Sequence, residues 1–209
     1  MYNIGMYLLA ALIGYALGNI STGIIVGKST ANVDIRQHGS GNAGTTNMLR
    51  TLGWLPSVLT LIGDVLKALA AGLIGRAVAG ENGAVIGGIF AVVGHNWPAA
   101  LGFKGGKGIA ASLGAILVVD PAMGFIMLGI QIIILAATRY MSVASIFTTT
   151  LYMVSTLIFR FGRWDLFALS VAVWGLALYS HKANIIRLKN GTENRLDFSK
   201  ISLFTGKKK

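Results

Sequence analysis

From residue 121 to 138 the chain runs without a charged side chain, and similar apolar stretches recur along most of its length. This feature constrains the fold most. In water such runs would all need burial, whereas about 20 apolar residues in helical form suit a bilayer crossing. Only 12% of the residues are charged and 54% are hydrophobic, against roughly 25% charged in soluble domains. Disorder is excluded too, because disordered chains are poor in apolar residues. The expected fold is all-α: a polytopic integral membrane bundle of about seven transmembrane helices. The predicted spans are roughly 4–27, 55–79, 83–102, 108–119, 121–138, 142–159 and 165–180. The fourth is short, so a re-entrant hairpin with the fifth is its alternative. The chain holds 28 glycines, about twice the usual share, and small residues let membrane helices approach closely. With no internal repeat or linker, residues 1–209 read as one domain with a basic tail from about 187.

Cysteine is absent, which excludes disulfides, Cys–His metal sites and cysteine nucleophiles. The net charge of +11 resides in the polar breaks at 28–50, 103–107, 139–142 and 181–209. A second set, around Arg76, Glu81, Asp120, Arg160, Arg163 and Asp165, is neutral and alternates with the first. The positive-inside rule then predicts an external N-terminus and a cytoplasmic C-terminus, with the basic set inside. The start, Met1-Tyr2-Asn3-Ile4, lacks the basic region of a cleavable signal, so the first span is expected to stay. The partners expected are anionic small molecules and membrane lipids, with no nucleic acid.

Three polar segments on that side carry chemistry. In residues 38–50, Gly39, Gly41 and Gly44 have the spacing of a dinucleotide fingerprint, but no strand precedes them and no acid follows at a usable position. What remains is a glycine-rich loop of N–H donors with Ser40, Asn42, Thr45, Thr46 and Asn47, and Arg50 as a guanidinium fork for phosphate. In residues 94–108, His95, Asn96 and Pro98 lead into Phe103-Lys104-Gly105-Gly106-Lys107-Gly108. This is not a Walker loop, since the Gly-x4-Gly-Lys spacing is absent and glycine stands where Ser or Thr should hold magnesium. Two lysines at the opening of a helix nevertheless suit an anion. In residues 181–194, His181, Asn184 and Arg187 share one helical face. Lys189, Lys200 and Lys207–Lys209 are read as contacts to anionic lipid heads, and Asn190-Gly191 as a turn.

Asp64 and Lys67, three residues apart inside an apolar span, are expected to neutralise each other within the bundle. Support of a neighbouring site is their second reading. Four residues after His38, His95 and His181 stand Ala43, Ala100 and Ile186, so no histidine has a carboxylate at the spacing of a familiar His–Asp base.

In this order and spacing, the segments resemble the acyl-phosphate:glycerol-3-phosphate acyltransferases of bacterial membranes, the PlsY family. The residues that carry the resemblance are Gly39-Ser40-Gly41-Asn42, Gly44, Thr46-Asn47 and Arg50; Gly94-His95, Pro98 and Phe103 to Gly108; and His181, Asn184, Ile185, Arg187, Leu188, Gly191 and Glu193. Ala43 and Thr45 depart from the proline and alanine usual there. The resemblance implies acyl transfer from acyl phosphate to glycerol 3-phosphate, giving lysophosphatidic acid and phosphate, the first step of phospholipid synthesis in the bacterial inner membrane. It implies no coenzyme A, no acyl carrier protein and no metal. An organic-anion transporter is the alternative; it should show inverted repeats and broken helices near the midplane.

For that reaction the expected catalytic residues are Ser40, Lys104 and His181. The expected substrate-binding set is Ser40, Gly41, Asn42, Thr46, Asn47, Arg50, His95, Lys104, Gly105, Gly106, Lys107 and Asn184. An acyl phosphate is already activated, so direct attack without an acyl-enzyme is expected, the proton passing to a substrate phosphate oxygen.

Overall fold

A computed structural model describes residues 2–198. Nine helices are described: α1 Ile4–Gly18, α2 Thr22–Ala31, α3 Thr45–Leu52, α4 Trp54–Asn96, α5 Ile109–Val119, α6 Pro121–Thr138, α7 Met141–Phe159, α8 Trp164–Ser180 and α9 Lys182–Lys189, with 3-10 turns at Ile35–Gln37 and Ala99–Leu101. No strand occurs among the described residues. The basic tail at Lys200 and Lys207–Lys209 lies outside them.

Helix α4 doubles back. Ala79 (φ −143°, ψ 29°) and Gly80 (φ 64°, ψ −156°) leave helical geometry, and glycine alone occupies the second conformation without strain. The limbs, 54–78 and 81–96, then run antiparallel. A Cβ on Gly75 or Gly83 would strike the carbonyl of the other. Each predicted span thus has a helical counterpart. By length and composition, Ile4–Ala31, Trp54–Leu101, Pro121–Thr138 and Met141–Phe159 are apolar enough to cross a bilayer, and α8 with α9 forms a further stretch bent by 59°. Helix α5, with 11 residues, is short, as its sequence suggests. Exposed Leu8, Leu12, Phe125, Ile133, Phe147 and Ile158 line the flanks, as lipid-facing positions should.

Three predicted boundaries shift. The first span breaks at residues 19–21, where the Asn19 amide donates to the Tyr15 carbonyl at 2.7 Å and the Ile20 carbonyl accepts from Lys67 Nζ at 2.6 Å. The third ends at Asn96, before Pro98, which opens the 3-10 turn. The predicted loop 28–50 contains most of α3, so Thr45, Thr46 and Asn47 form a first helical turn.

Glycine allows the tightest packing. Gly14 of α1 lies against the Gly87 carbonyl with no room for a Cβ, so α1 and the second limb of α4 meet backbone to backbone. Helices α4 to α8 then share an apolar core that includes Val85, Ile116, Met127, Tyr152 and Leu169. At one end of the bundle the turns hold internal ion pairs: Arg76–Glu81 at 2.9 Å, Arg160–Asp120 at 2.8 Å and Arg163–Asp165 at 2.7 Å. The opposite end gathers the three glycine- and cation-rich segments.

Candidate functional site

The first segment is organised around Asn47. Buried beneath the loop, its amide nitrogen shares two N–H bonds among the carbonyls of Ile35, His38 and Asn42 at 2.9–3.0 Å, and its oxygen accepts from the Ser40 N–H at 2.9 Å. The Gly41 N–H bonds the His38 carbonyl, and the Gly44 N–H bonds Asn42 Oδ1. These N–H groups, expected from sequence to meet a ligand, are bound within the loop. Gly39 and Gly41 adopt positive φ of 58° and 71°, and a Cβ on Gly39 would collide with Asn47 Oδ1. The outcome is an exposed Ser40 and a half-buried Arg50 on one rim. Thr46 sits in the first turn of α3.

The second segment folds back on the end of α4. The Gly105 and Gly106 N–H groups bond the carbonyls of Asn96 and His95 at 3.2 and 3.0 Å, so they cap that helix rather than cradle an anion. Gly108, at φ 81°, is the N-cap of α5. The free first-turn N–H groups of α5 follow directly after Lys107. Lys104 is exposed and has no polar partner among the described residues; Lys107 turns inward.

In the third segment, His181 and Asn184 are buried. His181 Nδ1 lies 2.8 Å from the Ala177 carbonyl. A carbonyl only accepts, so Nδ1 carries a proton and neutral His181 keeps Nε2 as an acceptor.

The segments interlock. Arg36 reaches the Leu101 carbonyl at 3.3 Å, Lys107 donates to Asn184 Oδ1, and Arg50 donates to the Asn194 carbonyl at 3.1 Å. Their hub is Glu193, which the sequence reading left out of the site. It accepts from Asn184 at 2.6 Å and from Ser142 and Arg187 at 2.8 Å each. Burial alone would raise the Glu193 pKa, but these hydrogen bonds hold it below the usual carboxylate range. Ser142 lies at the start of α7 without a motif to mark it. Glu193 carried a signal, as one of two acids in a basic tail.

Lys107 sits in a tense balance. Burial lowers its pKa to about 8; the Glu193 charge opposes this, while Arg187 and Arg50 add to it. Its charge is therefore present below pH 8 and is lost as pH rises through that value. Affinity for a phosphate-bearing ligand is expected to fall toward tenfold per pH unit above pH 8. Lys107→Arg should flatten the profile. Matching profiles for the wild type and Lys107→Arg between pH 7 and 9 would refute this role.

His95 belongs to a separate buried cluster. Lys67 Nζ meets the Ile20 carbonyl at 2.6 Å, Asp64 Oδ1 at 2.8 Å and His95 Nδ1 at 2.9 Å. Three acceptors use its three N–H bonds. Asp64 Oδ1 also accepts from Thr22 at 2.6 Å and lies 3.2 Å from His95 Nδ1. The fold thus brings to His95 a carboxylate that is distant from it in sequence. An ammonium shares the same nitrogen, however, so the cluster is not a His–Asp base. With Nδ1 accepting from Lys67, the proton sits on Nε2, which points at Gly106; a Cβ there would strike it.

Two spaces open near these groups. A cavity of about 410 Å³ is lined by Gly39, Ser40, Arg50, Asn194, Arg195, Leu196 and Asp197. A narrow apolar groove of about 90 Å³ starts at Ile109 and Ala110, just past Lys107, and continues along Leu113, Ile116, Met127 and Tyr152.

Residues 8–191 match the family model described as glycerol-3-phosphate acyltransferase. The chain belongs to the glycerol-3-phosphate acyltransferase family. A glycerol-3-phosphate acyltransferase of Alkaliphilus metalliredigens is 44% identical over 190 residues, covering 90% of this chain and 95% of that relative. One of Clostridioides difficile is 44% identical over 198 residues, covering 91% and 95%. The fold is similar to the crystal structure of PlsY, an integral membrane glycerol 3-phosphate acyltransferase, in its glycerol 3-phosphate form. The TM-score is 0.85 and the identity 33%, covering 91% of this chain and 96% of that one. The lysophosphatidic acid form gives 0.84 and 32%. Thr45 presents a buried hydroxyl without a hydrogen-bond partner among the described residues; alanine would avoid that cost.

Proposed function

We propose that this protein transfers a fatty acyl group from acyl phosphate to glycerol 3-phosphate at the cytoplasmic face of a bacterial inner membrane. The products are lysophosphatidic acid and inorganic phosphate. The observation that carries this reading is the interlocking of three family segments through Arg50, Lys107 and Asn184, beside an apolar groove that begins at Ile109. Anion-binding groups beside an apolar groove suit a lipid phosphate better than either alone.

The glycerol hydroxyl oxygen bonds to the acyl carbon, the bond from that carbon to the phosphate oxygen breaks, and the hydroxyl proton passes to a phosphate oxygen. Ser40, Arg50, Lys104, Lys107 and Asn184 hold the two phosphates, and the cations offset charge on the departing one. His181 Nε2 orients the hydroxyl. Asn47, Gly105 and Gly106 serve as scaffold, with Gly41 and Asn42 shaping the first loop. The basic end faces the cytoplasm and the ion-paired, neutral end faces out.

Purified protein given acyl phosphate should release phosphate only when glycerol 3-phosphate is present, and acylglycerol phosphate should form in equal amount. Phosphate release without acceptor, with an acyl adduct on Ser40 formed at the turnover rate, would replace direct transfer by a covalent mechanism. No acceptor-dependent release at all would remove the proposed function.

A further inference from the structure

Residues 192–198 follow the segment matched by the family model and form a strap across the functional end. Leu196 anchors it: the residue is 1% exposed, and its N–H bonds the Arg139 carbonyl at 2.8 Å. On the other side of Arg195, the Asn194 carbonyl is fixed by Arg50 at 3.1 Å. Farther along, Phe198 stacks on Trp54 with ring centroids 6.3 Å apart. Arg195 is thus pinned on both sides, and its guanidinium lies over the Tyr140 ring, 5.0 Å from the centroid. A planar cation held on an aromatic face is pre-organised, and its in-plane N–H groups remain available.

The cavity beneath this strap is lined by Ser40, Arg50 and Arg195, with Asp197 on its wall. At about 410 Å³ it falls within the roughly 300–1,000 Å³ range of small-molecule sites. None of its lining residues belongs to the apolar groove. It therefore suits a small polar phosphate ester rather than an acyl chain. Two guanidinium groups and a hydroxyl lining one cavity are a fitting donor set for a phosphate monoester, whose oxygens accept paired N–H bonds.

We propose that Arg195 is a further binding residue for the phosphate of the acceptor, glycerol 3-phosphate, and that the strap's role is to hold it opposite Arg50. Naming the acceptor rests on the proposed function; binding of a phosphate monoester does not. Arg195→Gln, which retains most of the side-chain packing, is expected to raise KM for glycerol 3-phosphate at least tenfold. The acyl phosphate KM should stay within twofold and kcat within threefold. Arg195→Lys should fall between Gln and wild type, because it keeps the charge but not the fork. Lys189→Ala, which removes an exposed cation from α9, is the control and should leave both KM values unchanged.

Thermal unfolding in detergent micelles supplies a readout without turnover. Inorganic phosphate should raise the wild-type midpoint, and the rise should shrink in Arg195→Gln at equal phosphate. An unchanged glycerol 3-phosphate KM in Arg195→Gln overturns the proposal, as does phosphate protection equal to wild type or absent from the wild-type protein. A wild-type protein that is protected by phosphate but does not acylate glycerol 3-phosphate would defeat the proposed reaction alone; the protection lost in Arg195→Gln would then still assign Arg195 as a phosphate ligand.

Discussion

Asp64→Ala is expected to destabilise the folded protein by about 3–5 kcal/mol, the scale for removing one partner of a buried ion pair. Asp64 and Lys67 are 1% and 7% exposed, and the ammonium would remain in the bundle without its counter-charge. The loss should spread beyond the pair. Lys67 also fixes the Ile20 carbonyl at the break between α1 and α2 and holds His95 beneath Gly106. Activity should therefore fall even in the fraction of molecules that stays folded. The companion measurement is the double variant Asp64→Leu/Lys67→Met, which removes both charges. If the pair only neutralises itself, the double variant should regain most of the lost stability, since apolar replacements of a buried pair are often neutral. It should not regain full activity, because His95 would lose its Lys67 donor. The measurement is the unfolding midpoint in detergent micelles together with kcat. A loss under about 1 kcal/mol for Asp64→Ala would mean that the pair is solvated and structurally idle.

His181→Ala is expected to lower kcat by roughly five- to a hundredfold, the equivalent of about 1–3 kcal/mol for leaving the hydroxyl without its partner. His181→Gln should retain a substantial part of the activity. The choice of glutamine follows from the ring's orientation. Nδ1 is engaged with the Ala177 carbonyl, so the working atom is Nε2, and a glutamine amide extends to that position better than the shorter asparagine. An obligatory base would behave differently: its loss costs typically 10²–10⁴-fold, and glutamine could not replace it. Equal, near-complete inactivation by Ala and Gln would assign proton abstraction to His181 and remove the substrate-phosphate acceptor from the mechanism.

Span positions follow from hydropathy, since a bilayer rewards apolar length almost regardless of detail. The break at residues 19–21 was invisible, because it depends on a carbonyl drawn out by Lys67, distant in sequence. The glycine loops were legible as special, but their use was not. Gly105 and Gly106 looked like N–H donors for an anion; the chain folds them onto the last carbonyls of α4. Asn47 looked like a ligand group and became the pin of the first loop. Glu193 and Ser142 meet only because the tail returns over the start of α7.

By itself the sequence determined the membrane-helical class, the segregation of cations into alternate loops, the membership of Arg50, Lys107, His181 and Asn184 in polar segments, and the family. These are local or compositional properties, fixed by the hydropathy and charge of neighbouring residues. Tertiary structure decided which N–H groups are spent on the fold, which carboxylate meets which histidine, and which cations share a cavity. Each of those is a pairing between distant residues, set by close glycine contacts such as Gly14 on Gly87, where loss of a side chain lets two helices approach and carries their polar ends into register.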